Sequence, residues 1–204
     1  MNSSTRSTLR FVVLAAGFST RLGRPKTLAR VHGISLIRNT IDLLAPLATS
    51  RIIVVVPPRA VRTRAELRGQ RLTFVENSQR ANGLSTSVRR GLAHARYGAA
   101  VLMLPVDLSR LKRRDLTRMI ARWCGSRRRV IARRLGSRGV TPLILPRWLC
   151  AQALGISGDR GLREFVGHLP PVQLALMNVP TAAWDVDTPQ DLELARRRFG
   201  PPGN

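Results

Sequence analysis

Histidine and cysteine are scarce in this chain of 204 residues: His32, His94 and His168 lie far apart, and Cys124 and Cys150 stand alone. Without a C-x-x-C pair or clustered imidazoles there is no zinc site, and no Ser/His/Asp or Cys/His arrangement for nucleophilic catalysis. So few cysteines point to a reducing compartment rather than a disulfide framework. Aromatic residues make up only 4% of the chain, too few for a platform on which bases stack. No apolar run approaches the length of a membrane span, and Met1–Arg10 lacks the apolar core of a signal peptide. The expectation is a cytoplasmic protein with no membrane association.

Acidic residues are also few. Against 11 Asp plus Glu stand 35 Lys plus Arg, for a formal net charge of +24. Such a surface attracts polyanions at low salt. The arginines are scattered along the whole chain, however, which marks solvated faces rather than dedicated nucleic-acid binding. Lysine is rarest of the cations: Lys26 and Lys112 are the only two. In a chain that uses arginine almost everywhere, a lysine inside a motif suggests that a compact ammonium is wanted there.

The remaining composition, 44% hydrophobic and 23% charged, is that of a globular domain. Apolar runs that suit strands lie at Phe11–Leu14, Ile52–Val56, Leu72–Val75, Ala99–Leu104, Arg129–Ala132, Pro142–Leu145 and Val172–Met177. Helical spacing occupies Ser35–Ala48, Arg59–Arg68, Ser85–Tyr97, Leu111–Cys124, Arg147–Leu154, Arg160–Leu169 and Gln190–Phe199, with Ser85 as the cap of its helix. Alternating strands and helices predict an α/β fold with a mostly parallel sheet. One domain is expected over residues 11–199, between a flexible N-terminus (1–10) and a flexible tail (200–204). Such sheets bind ligands beyond the carboxyl ends of their strands. Gly17, Asn77 and Asp107 all follow strands and are expected to share one crevice.

The stretch Val12–Lys26 reads V-V-L-A-A-G-F-S-T-R-L-G-R-P-K. A buried strand gives way to small residues, then to Ser19, Arg21, Gly23, Arg24 and Lys26. A glycine-bearing loop that carries cations after a strand is a receptor for phosphates. Its glycine spacing fits neither the dinucleotide fingerprint nor the ATPase P-loop. Asp107 ends the strand Ala99–Leu104 and suits Mg²⁺, which takes one or two carboxylates and completes its shell with phosphate oxygens and water. Asp185 and Asp187 alternate around Val186, so in an extended segment both face one way. Thr188, Pro189 and Asp191 read as a helix start, which makes Asp191 structural and leaves Asp187 free for a metal. The polar segment Asn77–Ser87, with Asn82, Gly83 and Ser85, is either a reader of a base or sugar or a well-capped surface loop. Asp159 reads as a helix cap, and Arg138–Pro142 as a turn between strands.

Leu14-Ala15-Ala16-Gly17-x-Ser19-x-Arg21-x-Gly23-x-Pro25-Lys26 resembles the signature of the MobA-like NTP transferases. Asn77–Ser87, Asp107, Gly158-Asp159-x-Gly161 and Asp185-Val186-Asp187-Thr188-Pro189 follow in that family's order. Within the family, Leu-Ala-Ala-Gly is similar to the molybdenum-cofactor cytidylyltransferases. The resemblance implies a Rossmann-like three-layer nucleotidyltransferase fold that uses CTP or another NTP, Mg²⁺ and a molybdopterin-type acceptor. An acceptor molybdoenzyme as partner is a further implication. It implies nucleotide binding by Leu14, Ala15, Ala16, Gly17, Ser19, Arg21, Lys26, Asn77, Asn82, Gly83 and Ser85. Catalysis would fall to Arg21 at the β/γ-phosphates and Lys26 at the α-phosphate, with Asp107 and Asp187 on the metal. The chain departs from the family pattern at Asp107-Leu108-Ser109, usually Asp-x-Pro, and at Gly139-Val140-Thr141-Pro142, usually Gly-His-Pro.

Overall fold

The computed structural model describes residues 9–136, 138–158 and 161–198. In chain order the strands are β1 (Leu9–Leu14), β2 (Arg30–Val31), β3 (Ile34–Ser35), β4 (Ile52–Val56), β5 (Leu72–Glu76), β6 (Ala100–Pro105), β7 (Val130–Leu135), β8 (Arg138–Pro146) and β9 (Leu174–Met177). The helices are α1 (Leu36–Leu44), α2 (Val61–Glu66), α3 (Leu84–His94), α4 (Arg113–Cys124), α5 (Arg147–Ala153), α6 (Gly161–Gly167) and α7 (Pro189–Arg198). Seven strands make one sheet in the order β5-β4-β1-β6-β8-β7-β9, while β2 and β3 pair as a separate hairpin. Every pairing in the large sheet is parallel except those of β8.

Strands of the central sheet are apolar on both sides because both sides are covered. Successive residues of β4 show this. Ile52, Val54 and Val56 face the layer that holds α1 and α4, in the same cluster as Ile37, Ile41, Met119 and Trp123. Ile53 and Val55 turn the other way, toward Val88 and Leu92 of α3, in the same cluster as Leu149 of α5 and Leu162 of α6. The result is the expected three layers. The strand order reverses at β1, so the crevice of the sheet opens at the carboxyl end of β1, between β4 and β6. Among the described residues no helix is long and apolar enough to cross a membrane.

Three local expectations are corrected. Arg138–Pro142 is no turn: it belongs to β8, which reaches Pro146. Proline cannot donate to a ladder, and the strand accommodates Pro142 in an irregularity. Ala132 pairs with Leu143 but Arg133 with Val140, so Thr141 and Pro142 bulge from the ladder. Second, Ser85 does not cap α3. The cap is Gly83, at φ 96°, a conformation that a side chain would strain. Third, the hairpin of β2 and β3 lay hidden in a stretch with no clear period. Arg30 pairs there with Ser35, and Ser35 caps α1 by accepting from the Arg38 N–H. Asp159 lies outside the described residues, as do residues 1–8 and 199–204.

Candidate active site

The loop after β1 folds as two short 3₁₀ turns, Thr20–Leu22 and Lys26–Leu28. Ser19 sits in the left-handed region at φ 57°. That conformation costs on the order of 1 kcal/mol or more in a residue with a side chain. Its hydroxyl offsets part of this by accepting the Lys26 main-chain N–H at 2.9 Å. Ser19 therefore folds the loop back and fixes where Lys26 stands.

The Lys26 ammonium lies between two carboxylates, 2.9 Å from Asp107 Oδ2 and 2.5 Å from Asp187 Oδ1. All three side chains are largely buried, at 14%, 18% and 28% exposure. Burial alone would lower the lysine pKa. The Asp107 charge and the hydrogen bonds to Asp187 and Asp107 outweigh it, so the net shift is upward. Arg21, largely exposed, reaches Asp187 Oδ2 at 2.8 Å. The loop thus gathers four of the expected residues, from positions as far apart as 21 and 187.

Two elements bring the carboxylates together. Asp107 follows β6, and its carbonyl accepts the Val186 N–H at 3.0 Å. Leu108 and Asp185 form an isolated antiparallel bridge. On the far side, Thr188 and Asp191 cap each other. The Asp191 carboxylate accepts from the N–H groups of Asp187 and Thr188, and the Thr188 hydroxyl accepts the Asp191 N–H. The Thr188 hydroxyl also donates to the Asp191 carboxylate at 2.8 Å, and this bond, followed by those from the two N–H groups, holds the Asp191 carboxyl below its ordinary pKa. Asp191 is structural, as expected.

Asp185 stands beside the pair with one side open to solvent. Burial of its inner side is the main cause that pushes its pKa up to about 6. Asp107 and Asp187 add to the rise, while Arg133 and Lys26 oppose it. A surplus of carboxylate is what a cation site requires. Asp107 Oδ1 is buried and has no hydrogen-bond partner. Such an orphan oxygen, facing a second carboxylate across an ammonium, fits a divalent cation. Among the described residues no three carboxylate, imidazole or thiol groups gather into a full cage.

Lys26, Asp107 and Asp185 line a cavity of about 370 Å³, together with Leu14, Ala15, Ala16, Gly17 and Ser19. Lys26, Gly17 and Ser19 also border a second, larger cavity across the loop, of about 610 Å³, with Arg59, Arg62 and Arg80. The segment after β5 behaves otherwise than its polarity suggests. Asn77 is fully buried. Its amide donates to Thr86 Oγ1 at 2.8 Å and Ser87 Oγ at 2.9 Å, and its carbonyl accepts the Gln79 N–H at 3.0 Å. It pins the loop to α3 and has no amide donor left for a ligand. Ser85 is likewise sealed, with its hydroxyl unpartnered. Asn82 is exposed and, with Gly83, borders neither cavity. Leu84 and Ser87 of this segment border the smaller cavity, and Arg80 reaches the glycine loop. It donates to the Ala16 carbonyl at 3.3 Å and lies 4.1 Å over the Phe18 ring. Its partner Phe18 is 54% exposed, which only the folded loop reveals.

Comparison with known proteins bears on the family and the fold. A MobA-like NTP transferase domain matches residues 11–173. The chain belongs to the MobA-like NTP transferase family. Its fold is that of solved relatives below 25% identity. Rv0371c from Mycobacterium tuberculosis H37Rv superposes with a TM-score of 0.76 at 24% identity, over 94% of this chain and 100% of that one. The same protein has also been solved as a complex with manganese. The 2-C-methyl-D-erythritol 4-phosphate cytidylyltransferase of Thermus thermophilus gives 0.68 at 22%, over 92% and 96%. Molybdopterin-guanine dinucleotide biosynthesis protein A of Archaeoglobus fulgidus gives 0.68 at 15%, over 92% and 96%. Among curated sequences, the bifunctional protein GlmU of Nostoc sp. is 32% identical over 111 residues, which is 53% of this MobA-like chain. Those residues span only 24% of GlmU, so the chain corresponds to a fraction of that protein. The sheet and layers described above are those of the Rossmann-like nucleotidyltransferase fold.

Proposed function

We propose that this MobA-like chain is a Mg²⁺-dependent nucleotidyltransferase that moves CMP from CTP onto a phosphate-bearing acceptor of the molybdopterin type. The observation that carries the reading is the Lys26 ammonium held between Asp107 and Asp187 at the mouth of the glycine loop. A cation so placed stands within reach of a phosphate at the glycine loop, and would be freed from the carboxylates if Asp107 and Asp187 held a divalent cation. Asp107, through its orphan Oδ1, and Asp187 would hold that metal, which supplies Lewis-acid stabilisation of phosphate charge when bound.

In the reaction, an acceptor phosphate oxygen attacks the α-phosphorus of the nucleotide. The new P–O bond forms as the bond to the bridging oxygen breaks, and pyrophosphate leaves with that electron pair. An acceptor phosphate is already ionised near neutral pH, so no general base is needed. This matches a site without histidine or cysteine. The work left to the protein is positioning and charge stabilisation. Lys26 meets the charge at the α-phosphate, Arg21 the β/γ end, and Ser19 keeps Lys26 in place. Leu14, Ala15, Ala16 and Gly17 form the wall against which the nucleotide lies.

The Ala15-Ala16 form of the loop supports cytosine as the base, as does the likeness to a cytidylyltransferase. That relative's name makes an alcohol phosphate the runner-up acceptor. The name of the Archaeoglobus protein makes GTP with molybdopterin the alternative pairing. A thermal-shift panel of CTP, GTP, ATP and UTP with Mg²⁺ decides the base, because a ligand that binds only the native state raises its stability. Pyrophosphate release separates an enzyme from a carrier that binds without turnover. Lys26→Ala is expected to lower turnover roughly a hundredfold, the loss typical of one charge donor to a transition state. Near-normal turnover in that variant sinks the assignment.

A further inference from the structure

Arg133 is the feature of the cavity that the proposed chemistry leaves unused. It lies on β7, is only 7% exposed, and lines the same cavity as Lys26 and Asp107. Its Nε and one terminal nitrogen are buried without any hydrogen-bond partner. A guanidinium cannot escape this by deprotonation, and a buried charge without hydrogen bonds is among the most unfavourable arrangements in a folded chain. The Asp185 carboxylate feels the Arg133 charge, yet the two idle nitrogens remain unpaired.

The backbone holds the side chain there. Arg133 stands at the register shift of β7, opposite the bulge that contains Thr141 and Pro142. A bulge beside a site re-aims a side chain that a regular ladder would point elsewhere. Thr141 and Val140 line the cavity next to it, and the exposed Arg163 of α6 borders the same space. Arg133 and Arg163 come from elements separate from the glycine loop, so they supply positive charge on a different wall of the cavity.

We propose that Arg133, with Arg163 at the rim, is a second anion subsite that receives the phosphate monoester of the acceptor. This rests on the transferase reading above, which requires two phosphate groups in one cavity. A phosphate dianion presents oxygens that the planar fork can bind in pairs, and so supplies an acceptor for an idle N–H and a counter-charge for the guanidinium. It would also place the attacking group beside the Lys26 and Asp107 wall, on the acceptor side of the transfer.

The test is isothermal titration of inorganic phosphate into the full chain at physiological ionic strength, with and without CTP and Mg²⁺. Arg133→Gln removes the fork. Arg134→Gln removes the same charge from the exposed neighbouring position and controls for bulk attraction. We expect Arg133→Gln to weaken phosphate at least tenfold and Arg134→Gln to leave it unchanged. CTP affinity should be unchanged in both. Arg133→Lys should recover part of the loss, since it keeps the charge without the fork. Equal phosphate affinity across wild type, Arg133→Gln and Arg134→Gln overturns the subsite, as does an equal weakening in both glutamine variants. A fall in thermal stability and CTP affinity together in Arg133→Gln also overturns it, because that marks a structural arginine. If the wild type fails to bind CTP while phosphate still depends on Arg133, the subsite stands and the transferase reading falls.

Discussion

Replacing Asn77 with alanine separates a residue that reads a base from one that holds a loop. Three hydrogen bonds disappear in Asn77→Ala: those to Thr86 Oγ1, Ser87 Oγ and the Gln79 N–H. Each such bond contributes about 1 kcal/mol net. Thr86 still donates to the Gly83 carbonyl at 2.9 Å, so its hydroxyl is not stranded. The sum is about 3 kcal/mol, and the space left by the amide at a fully buried position adds to it. In a domain of this size 1 kcal/mol moves the unfolding temperature by roughly 2–4 °C, so the expected loss is on the order of 6–12 °C. Urea unfolding of the variant, followed by circular dichroism, should show a lower midpoint with an unchanged slope. Below the transition, CTP affinity should stay within about twofold of wild type, since 1.4 kcal/mol would already be tenfold. An unchanged midpoint combined with lost CTP affinity would refute the structural role and return Asn77 to the nucleotide.

Two further outcomes follow from packing and charge. A Cβ added at Gly91 in α3 would come within 2.5 Å of Val12 Cγ1, a side chain that is fully buried in β1. Overpacking of this kind costs about 1–3 kcal/mol, against a gain of about 1 kcal/mol in helix propensity. Gly91→Ala should therefore lower the urea midpoint modestly, and a stabilised variant contradicts the packing described. Asp185 carries the pH prediction. Its folded pKa of about 6 exceeds the ordinary 3.8, so the native state binds the proton more tightly than the unfolded chain does. Stability is lost as pH rises from about 4 to about 6, and stays lost above that. Asp185→Asn should raise the unfolding temperature near neutral pH, modestly because solvent reaches this side chain. Below about pH 4 it should have little effect. Equal shifts at both pH values count against the carboxylate crowding.

The layers were legible because both faces of the sheet are apolar and the strands are short and β-branched, as Ile52–Val56 shows. The seven strands of the large sheet and the seven α-helices among the described residues fall where the pattern puts them, with ends displaced by a few residues, while the β2–β3 hairpin was missed. The glycine loop and its two aspartates were legible from residue type and order, and the fold does bring Lys26, Asp107 and Asp187 into contact. Side-chain direction was not legible. Asn77 and Ser85 are polar and follow a strand, as a ligand reader would, yet both are buried, Asn77 because it partners the hydroxyls at the start of α3. Arg133 was one arginine among many, and its placement depends on a bulge made by residues 141 and 142, which composition does not reveal. The arginine over Phe18 escaped for the same reason: its contact joins positions 64 apart in the chain, 16 and 80.

The bridge between Leu108 and Asp185 has a consequence for the order in which the molecule is completed during synthesis. In the order of synthesis the glycine loop precedes Asp107, and Asp187 follows both. Until that segment docks, Lys26 has a single carboxylate partner and Arg21 lacks the one it holds in the finished protein. The docking is tied to the sheet by the Val186 N–H on the Asp107 carbonyl and to the loop by a small apolar cluster of Leu22, Ala29, Leu36, Val186 and Leu192. A nascent chain arrested after β9 would possess the sheet without the second carboxylate beside Lys26. The segment from Asp185 onward acts as a clasp, and closing it brings the two acids together across one ammonium.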